Sequence, residues 1–105
     1  MNNKRRAKLE ELKDQLGEIL EKLELLKADV EEVMEDMEYE KDQEELIVER
    51  EIVSAFWVET HETSEDAVAS MESAIEGADR IIETLEEAID EFEEVFENLN
   101  DAINA

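Results

Sequence analysis

The sequence predicts an all-α protein: a long antiparallel helical hairpin with a short third element, dimerising into a bundle. Three observations carry that prediction. The chain has 105 residues with no proline and only two glycines, Gly17 and Gly77. Charged and hydrophobic residues each make up 42% of it, the composition of long helices rather than of a sandwich or barrel. Two runs of apolar residues also recur at alternating steps of three and four, the spacing that keeps one helix face turned towards a neighbour. A chain this short buries only about 60–65% of its unfolded surface, so a single domain over residues 1–105 invites self-association.

The first helix is expected over about residues 4–43. Its stripe is Leu9, Leu12, Leu16, Ile19, Leu23, Leu26, Val30, Val33 and Met37. The apolar segment 46–58 follows and breaks the spacing. It holds the only tryptophan, Trp57, beside Phe56, and five of its thirteen residues are isoleucine or valine. Its apolar side chains fall almost all round a helix and do not alternate as a strand would, so it is buried on several sides or awaits a partner. The absence of glycine and proline favours a helix there, with a short strand as the alternative. A turn is expected at 59–63, because Thr63 and Asp66 form an approximate capping box with Glu65 in the first turn. The second helix then runs over about 64–104. Its stripe is Met71, Ile75, Ala78, Ile82, Leu85, Ile89, Phe92, Phe96, Leu99 and Ile103. Further apolar positions (Leu20, Leu25, Val68, Ile81, Val95) widen both stripes beyond a two-stranded seam, which suits a bundle and predicts a homodimer.

Charge is distributed very unevenly. The chain holds 34 acidic and 10 basic side chains, a net charge of −24. Residues 1–27 carry seven bases and six acids, whereas residues 28–105 carry 28 acids against Lys41, Arg50 and Arg80. Such an acidic chain is expected to bind neither nucleic acid nor a membrane surface directly. The most apolar stretch, 52–58, is far shorter than the ~20 residues a bilayer span needs. The basic start, Met1 to Arg6, leads into Glu10-Glu11-Leu12-Lys13 with no apolar signal region, so a cytoplasmic location is expected.

Chemistry finds little support. There is no cysteine, and the one histidine, His61, sits in a polar stretch without a nucleophile motif. A di-iron bundle needs two Glu-x-x-His pairs, and position 58, three before His61, is valine. The run Asp36 to Asp42 imitates a calcium loop, but its sixth position is Lys41 and its twelfth is Ile47. Glu86-Glu87 and Glu93-Glu94 sit on an exposed helix face with no cleft implied for glycoside chemistry. The expectation is therefore no enzyme, no metal site and no cofactor.

What remains is the field of the carboxylates. Sixteen acids lie between Leu9 and Glu45, and fourteen between Glu65 and Asp101. Two helices of 37 residues side by side would present these 30 charges along about 55 Å, roughly one per 2 Å. Duplex DNA carries about one per 1.7 Å, and that length matches roughly 16 base pairs. Like charges at i,i+4, such as Glu31 with Glu35 and Glu83 with Glu87, cost a few tenths of a kcal/mol each. A chain that accepts many of them has reason to use the field. The expected function is an acidic protein inhibitor that mimics nucleic acid and occupies the basic groove of a nucleic-acid-binding protein. The binding residues expected on the first helix are Glu31, Glu32, Glu35, Asp36 and Glu38. On the second they are Glu83, Glu86, Glu87, Asp90, Glu91, Glu93, Glu94 and Glu97, with Phe56 and Trp57 as apolar anchors. The alternative is a non-enzymatic acidic coiled-coil scaffold or adaptor that binds its partner through residues 46–58.

The opening Met1-Asn2-Asn3-Lys4-Arg5-Arg6 before a leucine-rich acidic helix, and the closing Leu85-Glu86-Glu87-Ala88-Ile89-Asp90, resemble small acidic helical proteins of bacteriophages and prophages. The resemblance covers about residues 1–45 and 78–103. Those proteins often carry a proline-containing turn between their helices, where this chain has residues 46–62 and no proline. The resemblance implies a role in the host-cell cytoplasm against a defence nuclease or restriction system, the anti-CRISPR proteins with DNA-mimicking surfaces being one such group. No single residue's role is carried over by it.

Overall fold

The computed structural model describes residues 1–50 and 57–105, with side chains described over 1–47 and 65–105. Among the described residues there are two helices and no strand: α1, Asn3–Arg50, and α2, Trp57–Asn104, each of 48 residues. Asn2 starts α1 as its N-cap. Its side-chain oxygen accepts a 2.8 Å hydrogen bond from the Arg5 backbone N–H, satisfying one of the amides a helix start leaves without a partner. Both glycines lie inside helices with ordinary negative φ angles. Glycine costs about 1 kcal/mol relative to alanine in a helix interior, which 48-residue elements absorb.

The helix boundaries correct two expectations. The first helix does not end near residue 43 but continues to Arg50, taking in residues 46–50 of the apolar segment. The turn expected at 59–63 is helix, because α2 begins at Trp57, so the Thr63–Asp66 pair does not mark a helix start. Serine, threonine and histidine cost only about half a kcal/mol each in a helix, so polar capping residues without glycine or proline cannot stop one. Of the expected third element, residues 46–50 and 57–58 belong to α1 and α2, and 51–56 lie outside the described residues.

The chain forms two compact units, each drawing on both helices: residues 1–29 with 82–105, and residues 30–81. In the first unit the helices run antiparallel and in register. Lys13 Nζ donates to Asn100 Oδ1 at 2.6 Å, and Lys27 Nζ lies 3.2 Å from Glu86 Oε1. Fourteen residues forward on α1 thus correspond to fourteen backward on α2. Near the same end Arg6 Nη2 donates to the Ala105 main-chain oxygen at 2.8 Å. The interior of this unit is thin: Ile82, 6% exposed, is its one buried apolar side chain among the described residues. Half-buried Leu85, Ile89, Phe92, Phe96, Leu99 and Ile103 continue the α2 stripe, with Phe92 and Phe96 as a tilted pair at 6.0 Å.

The second unit packs in the same manner around Ala78, which is 8% exposed. Val30, Met34 and Met37 of α1 and Met71 and Ile75 of α2 are half-buried. Lys41 is half-buried too, its ammonium 3.8 Å from Glu45 Oε1 one turn on.

The inner face of α2 is therefore the one its spacing predicts, residue for residue. That of α1 is not. Leu9, Leu16, Leu23, Val30 and Met37 do turn inward, but Leu12, Ile19, Leu26 and Val33 are 38%, 50%, 50% and 56% exposed. Their place is taken by Arg6, Lys13, Leu20, Lys27, Met34 and Lys41, all half-buried and spaced by seven. Long basic side chains lay their methylenes along an apolar seam while the charged head reaches out of it. In the first unit those heads meet Asn100 and Glu86 on α2, which the leucine row cannot do.

Candidate interaction surface

From Ile82 onward α2 carries nine carboxylates and no basic residue. Glu83, Glu86, Glu87, Asp90, Glu91, Glu93, Glu94, Glu97 and Asp101 are all exposed. With Ile82, Leu85, Ile89, Phe92, Phe96 and Leu99 turned inward, helical geometry leaves most of these acids the outer face of the helix, while Glu86 and Glu93, in line with Asn100, flank the seam. The axial rise from Glu83 to Asp101 is about 27 Å for eighteen residues, so the nine carboxylates average about 3.4 Å apart along the axis. This face belongs wholly to the first unit. Glu86 is its exception, because it is engaged by Lys27, an ion pair whose side chains are 29% and 52% exposed. At that exposure the pair contributes under about 1 kcal/mol, and it also cancels one charge of the face.

The other acidic cluster lies in the second unit. Glu32, Glu35, Asp36 and Glu38 are exposed, whereas Glu31 is half-buried and already takes part in an interaction. The thirteen acids expected at the interface thus divide into five in one unit and eight in the other. Phe56 lies outside the described residues. Trp57 opens α2, and its side chain lies outside them too.

Among the described residues, two hollows lie near the helix seam. One, of about 380 Å³ in the first unit, opens over Gly17, where a missing side chain leaves Phe96 visible between Lys13 and Glu21. The other, of about 250 Å³ in the second unit, lies between Val33 and Met37 of α1 and Met71 and Ala74 of α2. Lys13, Asp14, Glu18 and Glu21 line the first, and the second is lined mainly by apolar side chains. Among the described residues no group of three metal-ligating side chains comes together, and no helix is long and apolar enough to cross a membrane.

Sequence reasoning missed the basic row of α1. The signal was present, since Arg6, Lys13, Lys27 and Lys41 are separated by multiples of seven and alternate with Leu20 and Met34. A row that mixes lysine with leucine has low mean hydropathy, so it ranks below an all-aliphatic one until the charge of the facing helix is considered.

The fold and this surface define an acidic protein of two long helices. No known protein family matches the chain, and neither a curated protein nor a solved structure does.

Proposed function

We propose that this chain is an acidic protein inhibitor that acts as a homodimer and occupies the basic groove of a nucleic-acid-binding protein, a host-defence nuclease being the target. One observation carries the reading. The exposed carboxylates of α2 in the first unit average about 3.4 Å apart along the axis, and phosphates along one DNA strand repeat at about 3.4 Å. A groove of lysine and arginine built for phosphates meets there a comparable row of negative charge. Such a complex is held mainly by charge, so it forms fast and weakens steeply with salt.

The test is capture of basic proteins from host lysate at about 50 and 200 mM salt, with DNA as competitor. Retention should fall about tenfold or more between the two salts, and DNA should displace the partner. Reversing Glu83, Glu87, Asp90 and Glu94 to lysine should abolish capture, whereas changing any one of them should matter little. A partner that survives high salt, resists DNA and ignores the reversals rejects the mimic.

The adaptor reading has an observation of its own. Leu46 and Ile47, at the start of the apolar segment, are 42% and 41% exposed. Salt-tolerant capture lost on changing both to serine identifies a scaffold that binds through residues 46–58.

A further inference from the structure

The first-unit part of α1 carries an apolar row that the fold does not cover. Leu12, Ile19 and Leu26 follow one another at intervals of seven and are 38%, 50% and 50% exposed. They flank Leu9, Leu16 and Leu23, which face α2 with only part of their surface. A helix with two adjacent leucine rows, one of them shared, has the pattern of a bundle member with a second neighbour still to come.

We infer that a second copy of this chain covers this face, with the two α1 helices antiparallel, Leu12 against Leu23 of the second copy and Leu16 against its Ile19. Charge selects both the occupant and the direction. Residues 1–29 carry seven bases and seven acids, so this stretch is neutral in a chain of net charge −24. Two such chains meet with least repulsion there. Beside the leucine row, on the side away from α2, run Lys8, Gln15, Lys22 and Asp29, again at intervals of seven. Antiparallel pairing sets Lys8 beside Asp29 of the second copy and Gln15 beside its Lys22, each twice by symmetry. Lys8 is exposed and lies 3.5 Å from Glu11 in the single chain, a contact weak enough to exchange for Asp29.

This inference rests on the homodimer part of the reading above and not on capture of a basic partner. Sedimentation equilibrium of the full chain at about 50 µM should give about 24 kDa, twice 12.2 kDa. Replacing Leu12, Ile19 and Leu26 by serine should raise the dimer dissociation constant at least about 100-fold, since each buried leucine or isoleucine is worth about tenfold or more. Helix content of that variant should persist by circular dichroism, because none of the three is part of the inner seam. The chain has no cysteine, so mixing Lys8→Cys with Asp29→Cys protein tests direction. Mixed disulfides should form far faster than those of Lys8→Cys alone. A monomer at this concentration overturns both this inference and the homodimer of the proposed function. A dimer indifferent to the three serines overturns the face alone, and preferential disulfide formation by Lys8→Cys with itself overturns the antiparallel direction.

Discussion

Gly17→Ala should stabilise the protein, and the gain can be worked from the structure. Gly17 lies in the interior of α1 with a negative φ, so alanine fits its backbone without strain. A Cβ built there meets nothing within 4 Å, so the substitution adds no clash and fills no core space. What changes is the conformational freedom of the unfolded chain and the helix preference of the residue, together about 0.8–1 kcal/mol. Unfolding entropy near 2.1 cal/mol/K per residue gives about 0.22 kcal/mol/K for this chain, so Tm should rise by about 4 °C. Urea denaturation followed at 222 nm should move its midpoint upward with the slope unchanged, which separates a stability gain from altered compactness. Gly17→Pro serves as control and should cost about 3 kcal/mol or more, because the ring removes a helix hydrogen bond and clashes one turn back. An alanine variant that melts at or below the parent temperature would refute the placement of Gly17 in an open, continuous helix.

Other substitutions probe packing, capping and charge. Ile82→Ala removes the most buried side chain among the described residues, 6% exposed, and should cost about 2–4 kcal/mol in a urea titration. A loss below about 1 kcal/mol would mean the first unit is not organised around it. Asn2→Ala should lose about 1 kcal/mol with its 2.8 Å cap to Arg5, while Asn2→Asp or Asn2→Ser should keep most of that stability. A double-mutant cycle on Lys27 and Glu86 should return a coupling under about 1 kcal/mol at low salt that shrinks as salt is added, given their partial exposure. Thermal stability of the parent should rise between about 10 mM and 500 mM sodium chloride, because 34 acids against 10 bases repel more than they attract. A Tm that ignores salt would show that the carboxylates are too dispersed to act as a field.

The all-helical fold and the inner face of α2 were legible in the residues alone. No proline interrupts either helix, and Met71 to Ile103 offers one dominant apolar stripe, so any neighbour must meet that stripe. The acidic exposed surface of α2 followed with it, because nine of the residues left outside the stripe after Ile82 are glutamate or aspartate. Helix ends were harder to read. Thr60 to Ser64 looks like a turn, yet no residue in it is costly enough to stop a helix, and helix covers it.

The inner face of α1 lay beyond local reasoning. Leu9, Leu16 and Leu23 are common to two possible seams, one completed by Leu12, Ile19 and Leu26, the other by Lys13, Leu20 and Lys27. Spacing and hydropathy favour the first, and the folded chain adopts the second. In the adopted seam Lys13 and Lys27 reach Asn100 and Glu86, contacts that exist only once α2 lies alongside in one particular register. Residue order determined that α1 would be a helix with more apolar surface than one neighbour can cover. Tertiary contact decided which part of that surface was spent inside the chain and which was left outside, because the fit of one helix face against another depends on distances that no local pattern contains.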